Sequence, residues 1–301
     1  MRLILKGLIL VGIFSISRFA SADMASTNYQ INWDSINYGG SDTSTSDSYT
    51  LRDTVGNPAA GASESTSYLL RAGYRAGIFD QVISFETFGQ DIGSKRSATA
   101  LIGNLITANT NDLTIGDYIA LIQDEGEDQI SAIGQIAILG AGTITVDNLK
   151  DGGMAPVIDG SNDYLYLLNG NSVDLGTLDN SEVKTTTIGF EINTDVDLGY
   201  SVQVYETQGL ISGVNELAPV IDGAITSGSE EYGGRSSDTT LIDSTFDTAD
   251  TAFTTGFQKI ADDTGVQFSN RNFLTLKAAI SDLTDAGDYS QDLVLIASGN
   301  F

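Results

Sequence analysis

Histidine and cysteine are both absent from this chain of 301 residues. Without histidine there is no Ser-His-Asp triad, and without cysteine there is no thiol nucleophile. Zinc sites built from His and Cys are excluded with them. A chain without disulfides that leaves the cell must be held by its core, by bound ions or by assembly. Proline occurs three times and tryptophan once, as Trp33. Few prolines leave β ladders uninterrupted, and a single tryptophan gives little material for an aromatic sugar platform. Basic residues are scarce: 14 Lys and Arg stand against 40 Asp and Glu, a net charge of −26. Such a field repels phosphate backbones and anionic lipid surfaces and favours solubility, which excludes nucleic acid as a partner.

One apolar run stands at the start. Arg2 and Lys6 precede a stretch from Leu8 to Ile16, and Ala20-Ser21-Ala22 follows as an A-x-A site. This is the layout of a cleaved secretory signal peptide over residues 1–22. The run is too short for the ~20 residues of a spanning helix, so no membrane span is expected after its removal. The expected location is extracellular or on the cell surface.

The rest of the chain alternates between turns rich in Gly, Asp, Asn, Ser and Thr. In "TTTIGFEINTD", Ile188, Phe190 and Ile192 face one way and Thr187, Gly189 and Glu191 the other. Tyr200, Val202 and Val204 repeat the pattern, as do Ile144 with Val146, and Tyr164 with Tyr166 and Leu168. Period two at this frequency predicts half-buried antiparallel strands. The best helix candidate is residues 98–108, with a turn near residues 252–260. In the last segment Leu293, Leu295 and Ala297 oppose Val294 and Ile296, which predicts a strand covered on both faces. The expected fold is mainly β: a β repeat segment (residues 23–77), then tandem antiparallel sandwich-like domains (78–171 and 172–301). "APVIDG" occurs at residues 155–160 and 218–223, with flanks too dissimilar to establish a duplication.

The repeat segment carries "STNYQI", "SDSYTL" and "STSYLL", with Tyr29, Tyr49 and Tyr68 at equivalent places. Each copy predicts one strand and a turn, the three forming a small meander that needs a further surface to be stable. The stretch "SDSYTLRDTVGNPAAGASESTSYLLRAGY" resembles a segment near the N-terminus of many secreted bacterial proteins. That segment runs S-x-x-Y-x-L, a TVGQP-like turn, then S-x-x-Y-x-L-x-x-G-[FY]. Tyr49, Leu51, Val55, Gly56, Pro58, Gly61, Ser63, Tyr68, Leu70, Gly73 and Tyr74 carry the match. "FEINTDVDLGYSVQV" and "GDYSQDLVLIASGNF" are similar to stretches of bacterial surface sandwiches of the spore-coat-U or pilin-like kind. Such domains commonly carry disulfides, and this chain has none. These resemblances imply an extracellular structural role and no known activity.

Among chemical groups only carboxylates are plentiful, and no G-x-S-x-G, P-loop or dinucleotide fingerprint is present. The one cofactor weighed is Ca²⁺, which takes six to eight oxygens. Its first candidate ligands are Asp124, Glu125, Glu127 and Asp128 in "QDEGEDQ", with Asp159, Asn162 and Asp163 in "IDGSNDY" behind them. Neither stretch has EF-hand spacing, and both also suit a solvated turn. The sequence therefore predicts a non-catalytic secreted or cell-surface structural or adhesion protein. Its expected partners are copies of itself or matrix components. An outer-membrane β-barrel and a carboxylate-based glycan hydrolase are the alternatives.

Overall fold

In the computed structural model the chain divides into two compact units, residues 1–80 and 81–301. The structure describes residues 81–300 and, before them, six short strands. These six are β1 (Met24–Ala25), β2 (Gln30–Ile31), β3 (Gly39–Thr45), β4 (Thr50–Val55), β5 (Gly61–Glu64) and β6 (Leu69–Ala72). They pair two by two: β1 with β2, β3 with β4, β5 with β6. Each segment that follows a repeat tyrosine is thus the second strand of a hairpin, and the described ladders do not join into one meander. The tyrosines themselves, Trp33 and the expected signal peptide lie outside the described residues.

The second unit holds β7 (Ile83–Gln90), β8 (Arg96–Ile102), β9 (Leu105–Ala108), β10 (Tyr118–Gln123), β11 (Ile130–Gly140), β12 (Thr143–Val146), β13 (Lys150–Asp151) and β14 (Tyr164–Asn169). It continues through β15 (Lys184–Thr194), β16 (Tyr200–Glu206), β17 (Ile211–Ser212), β18 (Asn215–Glu216), β19 (Glu231–Ser236), β20 (Gln258–Asp263), β21 (Gln267–Ala279) and β22 (Leu293–Gly299). The chain is mainly β, and every ladder between these strands is antiparallel.

Six strands close on themselves in the order β8-β9-β12-β11-β10-β14, with β14 pairing back to β8. Alternation puts Ile106, Ile119, Leu121, Ile136, Ile144 and Leu165 inside this barrel, each at most 1% exposed. Residues 98–108 form the β8–β9 hairpin instead of the expected helix. Its turn is the dipeptide Gly103-Asn104, and Gly103 has φ +59°. That conformation suits glycine and is what a two-residue hairpin loop demands, so the turn overrides the alanines' helical preference. Around residues 252–260 the chain bends and runs into β20.

A second layer pair lies beside the barrel. The sheet β7-β15-β21-β19 faces the three-stranded sheet β20-β16-β22. Between them sit Phe190, Ile192, Tyr200, Val202, Phe246, Leu274 and Leu276. Residues 188, 190 and 192 point into this core as expected, Phe190 and Ile192 with no exposure. β7 pairs with β15 along its length and with the end of β14 through Gly89↔Asn169 and Gln90↔Leu168. The barrel is therefore an insertion between the first two neighbouring strands of the sandwich. The expected boundary between residues 171 and 172 falls after β14, while β7, on its N-terminal side, pairs across it.

The last strand differs from expectation. β22 pairs only with β16 and forms the edge of its sheet. Leu293, Leu295 and Ala297 pack on the core, but Ile296 is 38% exposed. Apolar residues on both faces here reflect an uncovered surface, not a central position.

Candidate functional site

The acidic loops hold their carboxylates apart. Glu125 turns inward, where Lys95 and the Tyr166 hydroxyl both contact it. Lys95 also lies 3.8 Å from the Tyr164 ring centroid, a cation–π contact. Burial first, then the hydrogen bond to Glu125, raises the Tyr166 pKa far above the usual tyrosine range. Glu127 accepts from the Ser227 backbone N–H at 3.3 Å, on another side of the loop. Asp124 accepts from Gln123 at 2.8 Å, and Asp128 is exposed. In the second stretch Asp163 is 2% exposed and accepts three backbone N–H groups, from Asp124, Asp159 and Gly160. Backbone donors thus occupy the carboxylate that ties the two loops together. Among the described residues no three His, Cys, Asp or Glu side chains converge as metal ligands would.

What the sequence did not reveal is a polar seam between barrel and sandwich. Phe88 and Phe273 of the sandwich pack on Ala120, Ile133 and Leu168 of the barrel wall. Gly189 leaves room for this, since a Cβ there would lie 2.7 Å from the Phe88 ring. On the same face of β21, Arg271 donates through Nε to Glu191 at 2.7 Å and through Nη1 to Asp147 at 2.8 Å. Tyr118, stacked on Phe88 at 4.0 Å, donates to Glu191 and lies 5.3 Å from the Arg271 guanidinium. Burial above all, with the Glu191 charge behind it, pushes the Tyr118 pKa up to about 12. Burial alone would raise the Asp147 pKa, but bonds from Arg271, Asn148 and Gln135 outweigh it and hold the group below the ordinary range.

Six residues beyond Arg271, on the same face of β21, stands Lys277. Its Nζ is 3.2 Å from Asp250 Oδ2 and 3.1 Å from the Glu127 carbonyl oxygen. The two side chains are 10% and 6% exposed. The signal for this seam is present in "NRNFLTLKAA": Arg271, Phe273, Thr275 and Lys277 alternate with Leu274, Leu276 and Ala278. Nothing in that pattern alone says that the charged face is covered.

The sandwich also has an open side. Phe85, Val173, Ile188, Leu293 and Leu295 line a cleft of 390 Å³ next to the β22 edge. β22 carries no charge and no proline over its seven residues. The opposite edge of the same sheet, β20, carries Lys259, Asp262 and Asp263. No protein-family model, curated protein or solved structure matches this chain.

Proposed function

We propose that this chain is a non-catalytic secreted or cell-surface structural protein that acts by assembling with copies of itself through β22. The observation that carries this reading is the unguarded edge. Free strand edges pair with other chains unless charge, proline or a bulge blocks them. β20 has such charges and β22 has none. Two β22 strands meeting antiparallel about a two-fold axis are self-complementary, as a closed dimer requires. They would place Val294 and Ile296 of both copies side by side on one face. The resemblance of the repeat segment to secreted bacterial proteins, and of residues 190–204 and 287–301 to surface sandwiches, supports the same reading.

The barrel itself speaks for this assignment over a membrane one. Membrane barrels present apolar residues outward on strands of about 9–11 residues and keep a polar interior. Here the interior is aliphatic, and β9 and β12 have four residues each. The buried carboxylate Glu191 of the seam is bound to Arg271 and Tyr118, an arrangement that differs from a carboxylate pair flanking a sugar.

Sedimentation of the purified full chain tests the proposal. Wild type should form a dimer that strengthens with salt, because screening relieves the repulsion of two strongly acidic copies. Val294→Lys with Ile296→Lys should return it to monomer with an unchanged circular dichroism spectrum. A wild type that stays monomeric from low to molar salt would overturn it.

A further inference from the structure

The Lys277–Asp250 pair has one feature an ordinary buried ion pair does not need. Asp250 Oδ2 is well supplied, accepting the Ile225 backbone N–H at 3.1 Å as well as Lys277. Asp250 Oδ1 is buried and has no hydrogen-bond partner among the described residues. A charged oxygen left without a donor in the interior is costly. Val183, Val220, Ile225, Ala252 and Ala279 form the apolar cluster beside it.

We infer that Lys277 and Asp250 form an intramolecular isopeptide bond. The Lys277 ammonium passes one proton to the Asp250 carboxylate, giving a neutral amine beside a carboxylic acid. Nζ attacks Cγ while the Ile225 N–H holds Oδ2, where negative charge develops. The Nζ–Cγ bond forms and the Cγ–Oδ1 bond breaks. Of the three protons on the ammonium, two leave with Oδ1 as water and one stays on the amide nitrogen. No oxidant, reductant or cofactor enters. Fixed contact between the two groups replaces the activation that a free acid and amine lack in solution, since held partners reach effective molarities of about 10⁵–10⁸ M.

The product fits the site better than the reactants do. The expelled oxygen is the one without a partner. The new carbonyl oxygen keeps the Ile225 N–H, and the new amide N–H points at the Glu127 carbonyl oxygen. The bond fastens the segment before Thr251 to the middle of the sandwich at β21. It thereby gives a chain without cysteine a covalent tie that reductants do not cut.

Peptide mapping of the purified full chain decides the matter. Trypsin cannot cut at an acylated lysine, so a linked protein should yield residues 236–259 joined to residues 272–301, lighter than their sum by one water. Lys277→Met should restore the missing water and separate the two peptides. Wild type that gives free peptides 236–259 and 272–277 in full yield overturns the inference. So does a water loss in peptide 236–259 that persists in Lys277→Met, because it would belong to that peptide alone, as a succinimide at Asp243-Ser244 would. Were the variant not to fold, the wild-type map alone would still give one of these answers.

Discussion

The barrel and the sandwich are filled differently. The barrel cluster consists of Ala, Ile, Leu and Val and contains no aromatic ring. The sandwich cluster is built around Phe190, Tyr200, Tyr232, Phe246 and Phe253. Geometry accounts for the contrast. Barrel diameter grows with strand number, and about eight strands leave an interior just wide enough for side chains. Six strands leave less, so branched aliphatics fill it. Two facing sheets stand ~10 Å apart, and rings are the economical way to span that gap. The same period-two alternation therefore produces two interiors, and closure decides which residues suit each.

The seam that joins the two regions should give the largest response. Arg271→Met leaves Glu191 buried without its cation and should cost about 3–5 kcal/mol, against a total of about 5–15 kcal/mol. Adding Glu191→Leu should return most of that loss. Urea unfolding that finds the single variant within error of wild type would show that the two regions are not coupled here. Truncation inside each region comes next: Phe190→Ala should cost about 3–5 kcal/mol and Leu121→Ala about 2–5 kcal/mol.

Enlargement sharpens the contrast more than truncation. Ile136→Phe in the barrel should reach the upper end of the ~1–3 kcal/mol typical of overpacking, and Leu276→Phe in the sandwich the lower end. Equal penalties would remove the distinction between a closed and an open interior. At the barrel's loops, Asp163→Asn removes a charged acceptor from three N–H groups and should cost about 1–3 kcal/mol, whereas Asp128→Ala should be neutral. A melting temperature raised by millimolar Ca²⁺, and no longer raised in Asp124→Ala with Asp128→Ala, would establish the cation role for that loop.

The smallest effects are those of pH at the seam. The folded pKa of Asp147 lies below its unfolded value, so its contribution is complete above about pH 3.9 and fades as pH falls through the lower folded value. The folded pKa of Tyr118 is raised to about 12. Its contribution is complete below about pH 10 and is lost as pH rises toward the folded value. Tyr166, Tyr200 and Tyr232 are raised further, burial being the largest cause in each. Absorbance titration of the folded protein should therefore show at least these four of its 12 tyrosines ionising late. Their titration at the ordinary value, with the fold intact, would contradict the burial described.

Much of the strand content was legible because alternation survives any topology. Residues 188–192 and 200–204 needed no partner to be placed. Coverage was not legible. "YLYLL" in β14 and "LVLIA" in β22 are equally apolar on both faces, yet β14 is enclosed between barrel and sandwich while β22 is an edge. The difference lies in which distant strands arrive beside them. Closure of the barrel was hidden for the same reason, since the β10–β14 and β8–β14 pairings follow from neither segment alone. Gly103-Asn104 was readable as a hairpin turn, and its flanking alanines drew the helix reading instead. The acidic loops stay ambiguous in sequence because Asp serves backbone N–H groups as readily as it serves cations.

The position of the insertion has a consequence for how the molecule assembles in time. β7 is made first of the second unit's strands, but β15 follows it only after roughly 100 residues, and long-range pairings of that kind form slowly. The barrel between them is sewn by near neighbours, β8 to β9 and β11 to β12. Its completion brings Gly89 and Gln90 against Leu168 and Asn169, and the emerging chain then leaves next to the waiting strand. Pulse-labelled hydrogen exchange during refolding should find β10–β11 protected before β15–β21, and the reverse order would refute the scheme. In that sequence of events the barrel is a jig: it turns a distant search into a local one.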